Sequence, residues 1–207
     1  MVKYNALPRG SFRLLVCDDH DDPNWTLKEF TLSTAPKYIA LSYTWGSAAY
    51  EQGRDPNAKY TIRLDSEDVE VDQNLYDAII NLAQHVRARF ALFWVDALCI
   101  NQQDDHDKGT QVKLMKTIYE KADHIYAWLG VPYSDHDANL AVGLMRSMRK
   151  YLQNGLHVVK KDILTVANEL DSAHSAFPSL SNPDAGFAWE GIADMFLLGY
   201  WNRTWVR

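Results

Sequence analysis

The sequence contains little cysteine: Cys17 and Cys99 are the two cysteines among its 207 residues. Two cysteines cannot build the disulfide framework of a small secreted domain, and Cys99 lies in an apolar segment where an inert core thiol is expected. The first residues reach Pro8 without the apolar stretch of a secretory signal. We therefore expect a reducing compartment and a cytoplasmic location.

Long apolar runs and an excess of positive charge are also missing. The longest apolar runs, such as Phe90 to Val95, are far shorter than the roughly 20 residues of a membrane span. The 21 Lys and Arg residues are outnumbered by 27 Asp and Glu residues, and the net charge is -6. This balance argues against a general affinity for phosphate backbones. We expect no membrane span and no nucleic-acid partner.

The sequence lacks the motifs of several enzyme classes. It has no GxSxG, no GxGxxG after a strand, no Walker loop and no CxxC. The acidic segment 18–29 matches four ligand positions of an EF-hand loop, but Pro23 stands where that loop needs glycine. We expect no metal site and no bound cofactor.

Apolar runs alternate with helical periods in the first two thirds of the chain. Strands are expected at residues 38–43, 92–96 and 125–129, with amphipathic helices at 73–88 and 109–122 between them. Alternation of this kind is typical of parallel strands joined by crossover helices. The pattern predicts an α/β fold with an open, flavodoxin-like parallel sheet.

Additional elements flank this core. Alternating apolar residues and acidic turns predict β-hairpins around residues 12–32 and 60–71, and helices are expected after residue 133. We expect one domain over 1–207, made of an N-terminal hairpin region (1–35), the α/β core (36–132) and a helical C-terminal part (133–207).

Polar side chains follow two of the expected strands at the point where each strand ends. Open α/β sheets form their ligand crevices at the carboxyl ends of the strands. A carboxylate, Asp96, stands in the second of these segments, and capping the next helix and facing a ligand are equally good roles for it. The candidate binding residues at this edge are Ser42, Tyr43, Trp45, Gly46, Asn101 and Gln102.

Three segments resemble the motif blocks of the fungal heterokaryon incompatibility (HET) domain. The family pattern is ALSYxWG, then WxDxLCINQ, then a Gln-Val pair leading into IYxxAxxVxxWLG. The matching segments here are Tyr38 to Gly46, Leu92 to Gln103 and Ile118 to Gly130. The chain stops at Arg207 inside a segment that the family continues, so we expect it to be trimmed from a longer protein.

HET domains are in turn similar to Toll/interleukin-1 receptor (TIR) domains, which open with a strand ending in Ser-Tyr or Ser-Phe, as Leu41-Ser42-Tyr43 does here. Some TIR domains cleave NAD with a glutamate. The resemblance implies a TIR-like fold and makes Asp96 and Asp107 the candidate catalytic carboxylates. Asp107 stands where HET sequences usually carry Glu, and a misplacement of about 1 Å can cost roughly 100-fold in rate. This departure argues against enzymatic activity.

Two functions therefore stay open. The resemblance implies a signalling or effector domain that triggers programmed cell death in heterokaryon incompatibility, an innate-immunity-like response to non-self. Its output would come from self-association (oligomerisation) or from a nucleotide-binding receptor-type partner. The alternative is a TIR-like NAD+ glycohydrolase that acts as the death effector, with NAD as substrate rather than cofactor. Whether the domain is an enzyme is not decided by the residues.

Overall fold

The structure is a computed structural model that describes residues 2–17, 24–46, 58–85 and 92–131, together with positions 139, 141–143, 145, 146 and 191. The chain forms two compact units, Met1–Val131 with Arg203–Trp205 and Pro132–Asn202 with Val206–Arg207. The strands and helices given below belong to the first unit. The described positions between 139 and 191 are helical. Most of the predicted C-terminal part (133–207) lies outside the described residues, so the single-domain organisation stays a prediction.

The described part of the first unit contains seven strands and three helices. In chain order they are β1 (Ser11–Cys17), β2 (Asn24–Thr31), β3 (Ile39–Ser42), β4 (Lys59–Leu64), β5 (Glu67–Asp72), α1 (Gln73–His85), β6 (Leu92–Trp94), α2 (Asp96–Cys99), α3 (Asp105–Lys121) and β7 (His124–Ala127). The strands form one sheet in the order β5-β4-β2-β1-β6-β3-β7.

The predicted parallel core is confirmed. Strand β3 pairs in parallel with β6 on one side and with β7 on the other, so that Ile39 lies opposite Phe93 and His124. The α/β class is therefore correct, and the carboxyl ends of these three strands meet at one edge of the sheet.

The N-terminal hairpins belong to the same sheet instead of standing beside it. Strand β1 lies between β2 and β6 and pairs antiparallel with both, and β4 pairs antiparallel with β5 and in parallel with β2. All seven residues of β1 are buried, as a strand covered on both faces must be. The sheet is therefore mixed, with β1 in its interior.

The β4–β5 hairpin has a two-residue turn, Asp65-Ser66, with φ values of 51° and 66°. Positive φ at both central residues is typical of the type I′ turn, whose twist matches that of paired strands. The Asp65 backbone N–H donates to the Trp25 carbonyl at 2.8 Å, and its carboxylate accepts from the Leu27 N–H at 3.1 Å. These two bonds attach the turn to β2.

Helix α1 is amphipathic as predicted. Its residues Leu75, Ile79 and Leu82 are buried in the hydrophobic core that includes the inner side chains of the sheet. It is described as far as His85, and the rest of the predicted span to 88 is outside the described residues.

Helix α3 begins at Asp105, four residues before the predicted start at 109. The cause is Asp104, whose carboxylate accepts from the backbone N–H groups of His106 at 2.9 Å and Asp107 at 3.2 Å. This is the N-cap arrangement expected for an acidic loop before a helix. Among the described helices, none is long and apolar enough to cross a membrane.

Candidate functional site

Two of the predicted site residues, Ser42 and Asp96, lie at or just beyond the carboxyl ends of neighbouring parallel strands. In the parallel pairing of β3 and β6, Ala40 is opposite Trp94. Ser42 is the last residue of β3, whereas Asp96 lies two residues beyond the end of β6 and begins α2 instead of ending a strand, as the predicted span 92–96 had it. Both side chains are buried, each with 5% of its residue surface exposed. The indole of Trp45, in the loop after β3, contacts Asp96, whereas the proximity of Ser42 to Asp96 stays a prediction.

Asp96 contributes to two local structures. Its Oδ1 accepts from the Ala97 N–H at 2.8 Å, at the start of α2, and its Oδ2 accepts from the indole N–H of Trp45 at 3.1 Å. Trp45 is 53% exposed, so the carboxylate fixes one edge of an indole that is otherwise open to solvent. Gly46 follows with φ of 81°, a conformation that glycine adopts without strain. Asp96 is therefore the first residue of α2 and not its N-cap, which is Val95, and a ligand-facing role for it stays a prediction.

The side chain of Asn74, which was not among the candidate residues, also supports the loop after β3. The amide of Asn74 donates to the Thr44 carbonyl at 2.7 Å and accepts from the indole N–H of Trp128 at 2.8 Å. The Trp128 backbone N–H donates to the Ser42 carbonyl at 2.8 Å. Asn74 is 2% exposed, and its partners lie 30 and 54 residues away along the chain, so no local pattern indicated its role. Tyr43 is buried in the hydrophobic core.

Asp107 lies in a buried ion pair. The two Arg13 nitrogens Nη1 and Nη2 donate to the Asp107 oxygens at 2.9 and 3.3 Å, and Oδ2 also accepts from the Asn101 N–H at 2.8 Å. Arg13 donates further to the carbonyls of Cys99 at 3.1 Å and Asn5 at 2.7 Å. These contacts are those of a structural carboxylate, and a catalytic role for Asp107 stays a prediction.

Arg13 was not among the candidates. A single arginine inside an apolar strand is 2% exposed here, and that position, flanked by Phe12 and Leu14, was the signal available in the sequence. Its partner, however, is 94 residues away along the chain. Sequence periodicity gives no information on contacts over such a distance.

The loop between α2 and α3 carries the remaining candidates, Asn101 and Gln102. The Asn101 side-chain oxygen accepts from the Gln103 N–H at 3.1 Å, and the Gln102 amide donates to the Asp96 carbonyl at 2.9 Å. Both side chains thus shape the loop next to Asp96. Whether they also contact a ligand stays a prediction.

Cys99 is the inert core thiol that the sequence predicted. It is 1% exposed, and burial raises the pKa of its thiol from 9.0 to about 12, so the reactive thiolate is suppressed. In the part of the chain that the structure describes, no group of three or more His, Cys, Asp or Glu side chains could hold a metal ion.

The arrangement offers two chemical groups at one place. A buried carboxylate can accept a hydrogen bond from a ligand hydroxyl or stabilise a positive charge, and an exposed indole offers a flat surface for stacking or for a cation. Asp96 and Trp45 supply these groups at the carboxyl ends of parallel strands, where α/β proteins bind their ligands.

Comparisons with known proteins agree on one family. The family model described as Heterokaryon incompatibility protein (HET) matches residues 38–207. Heterokaryon incompatibility protein 6, OR allele, of Neurospora crassa is 32% identical in an alignment of 115 positions that covers 50% of this chain and 16% of that relative. The chain thus matches less than a fifth of the relative's length. No solved structure matches it significantly.

Proposed function

Because the chain belongs to the heterokaryon incompatibility (HET) family, we propose that it is an effector domain of heterokaryon incompatibility that triggers programmed cell death on contact with non-self. The observation that carries the proposal is the extent of the family match. Residues 38–207 include both strands whose ends meet at the site, the loop that follows α2, and helix α3. The relative with an incompatibility name supports the same role.

The exposed indole of Trp45 is the feature of the site best suited to contact another molecule. It is one of three large apolar side chains that are exposed among the described residues, with Val112 at 57% and Ile125 at 56%. Tryptophan is enriched among residues that dominate binding energy at interfaces. We propose that Trp45 takes part in the output of the domain, through self-association or through a nucleotide-binding receptor-type partner.

The experiment is inducible expression of the chain in a fungal host, with viable cells counted before and after induction. The wild type is expected to reduce viability, and Trp45→Ala is expected to weaken the effect. Val112→Ala is the matched control, because it removes an equally exposed apolar side chain from α3. Light scattering of the purified proteins measures self-association in parallel. A wild type that leaves viability unchanged at high expression would contradict the proposal.

An alternative output is enzymatic, and the position of Asp96 favours it. Hydrolysis of NAD breaks the bond between nicotinamide and ribose, adds water at the ribose carbon and releases nicotinamide and ADP-ribose. The reaction passes through a cation-like state that a neighbouring carboxylate stabilises. Asp96 lies beside an indole surface that could stack on a flat ring, whereas the Asp107 oxygens are occupied by Arg13 and the Asn101 N–H.

This alternative is tested by incubating the concentrated chain with NAD and measuring released nicotinamide by chromatography. If the domain cleaves NAD, Asp96→Asn is expected to abolish release while the fold is retained, since the substitution removes the charge and keeps the shape. Loss of release in a folded Asp107→Asn variant alone would assign the reaction to Asp107. A wild type that releases no nicotinamide even when concentrated would reject the enzymatic output and leave signalling.

A further inference from the structure

The family match begins at residue 38, but a buried cation from upstream of it lies beside the site. Arg13 belongs to β1, which runs antiparallel to β6 with Leu15 opposite Phe93. The side chain of Arg13 contacts the last residue of α2, the helix that begins at Asp96 just after β6. The guanidinium group is thus at the same edge of the sheet as the strand-end carboxylate.

Arg13 fixes the loop after α2 at two points. Its Nη1 donates directly to the Cys99 carbonyl at 3.1 Å, and its ion pair orients Asp107 to accept from the Asn101 N–H at 2.8 Å. The guanidinium and the carboxylate make two parallel contacts, a geometry that resists rotation of either group. Backbone groups on both sides of Ile100 are therefore fixed by one buried pair.

The loop in turn fixes Asp96. The Gln102 amide donates to the Asp96 carbonyl at 2.9 Å, and the Ile100 N–H donates to the same oxygen at 3.2 Å. The Asp96 carboxylate then accepts from the Trp45 indole. We propose that Arg13 is a positioning residue for the Asp96–Trp45 pair, acting through Asp107 and Gln102. The inference concerns the same site as the proposed function, but its test does not require that function.

The segment before β1 supports the arginine from the other side. The Asn5 carbonyl accepts from Arg13 Nη2 at 2.7 Å, and the guanidinium carbon lies 5.1 Å from the centre of the Tyr4 ring. The Tyr4 hydroxyl donates to the Leu98 carbonyl at 3.0 Å, in α2. Residues that precede the matched family segment are therefore part of the structure that shapes the site.

The experiment follows the indole N–H of Trp45 by NMR in the complete chain labelled with ¹⁵N. The chain has seven tryptophans, and Trp45→Phe identifies the signal of interest. Gln102→Ala removes the side chain that contacts Asp96 and is expected to shift the Trp45 signal and to speed its hydrogen exchange by up to roughly fivefold, the effect of losing about one hydrogen bond. Gln103→Ala is the matched control, because the side chain of this exposed neighbour is in none of the contacts above.

Arg13→Lys tests the first step of the path. Lysine keeps the charge but cannot make two parallel contacts with a carboxylate, so the Trp45 signal is expected to move in the same direction as in Gln102→Ala. The indole signals of Trp25 and Trp94, both in the hydrophobic core, report whether the fold is retained.

An unchanged Trp45 signal in folded Gln102→Ala and Arg13→Lys variants would overturn the proposal. If Arg13→Lys does not fold, Asp107→Asn takes its place, since it weakens the same ion pair from the other side, and an unchanged Trp45 signal in that folded variant would overturn the proposal. A Trp45 signal that responds as expected supports the positioning role even if the chain does not kill cells. A chain that shows the expected Trp45 response but does not kill cells would contradict the proposed function and would leave the positioning role of Arg13 supported.

Discussion

Replacing Arg13 by methionine should destabilise the protein far more than the same change at an exposed position. The substitution removes the charge that compensates Asp107, whose residue is 8% exposed, and leaves the Asn101 N–H as the remaining donor described for that carboxylate. Removing one partner of a buried ion pair typically costs about 3–5 kcal/mol. This loss is a large part of the roughly 5–15 kcal/mol that stabilises a typical domain. We therefore expect Arg13→Met to be marginally folded at 25 °C.

The matched control is Arg63→Met in β4. Arg63 is paired with Asp68 at 3.9 Å, and the two side chains are 68% and 75% exposed. Exposed pairs contribute about 0–1 kcal/mol, so this variant should lie close to the wild type. The free energy of unfolding is measured by urea titration with circular dichroism. The double variant Arg13→Met with Asp107→Leu should recover much of the loss, because an apolar pair leaves no unpaired charge.

Equal unfolding free energies for Arg13→Met and Arg63→Met would refute the reasoning. So would a double variant less stable than Arg13→Met, since the loss would then come from packing and not from the unpaired Asp107.

Three further outcomes follow from the same contacts. Cys99 should resist thiol reagents at neutral pH and react only after unfolding, because burial raises its pKa to about 12; rapid modification of the folded chain would contradict this. Burial also raises the pKa of Tyr38 from 10.0 to about 12. The stability linked to this hydroxyl, which donates to the Ile118 carbonyl, is present below pH 10.0 and should be lost as the pH rises towards about 12. When the free energy of unfolding is measured as a function of pH, Tyr38→Phe should show a smaller loss of stability between pH 10.0 and about 12 than the wild type. Asp104→Ala should lower the unfolding free energy by about 1 kcal/mol through loss of the α3 cap, whereas an unchanged urea midpoint would show that the cap is dispensable.

Local sequence patterns predicted the parallel core because the residues within each strand or helix are sufficient to indicate its type. Strands β3, β6 and β7 are short apolar runs, and α1 shows its helical period over three turns, so neither required knowledge of distant partners. Helix α2 was missed. It lies in the segment from Phe93 to Ile100, which is apolar except for Asp96, and a short apolar segment has the same appearance in a strand and in a helix.

The segments after β3 and β6 were expected to meet because strand ends meet at a sheet edge, a rule that needs only the strand assignments. The contact between Trp45 and Asp96 agrees with that expectation, whereas the role of these residues in a site stays a prediction. The Arg13–Asp107 pair and the role of Asn74 could not be predicted, because both depend on which elements pack together. The interior position of β1 in the sheet could not be predicted for the same reason. The sequence of a strand indicates how many of its faces are buried, but it does not indicate which strands pair with it. The similarity to TIR domains stays a prediction.

The place of β3 in the sheet has a consequence for the order in which the protein can assemble. This strand leaves the ribosome first among the three parallel strands, yet it pairs with β6 and β7, which are made later, on its two sides. The backbone N–H and C=O groups of β3 therefore stay unpaired until strands about 50 and about 85 residues further along the chain have been synthesised. Sheets that depend on such distant pairings fold slowly. A nascent or partly degraded chain that ends before Ile125 would expose one edge of β3. Such a fragment would be a better substrate for chaperones and proteases than the finished domain.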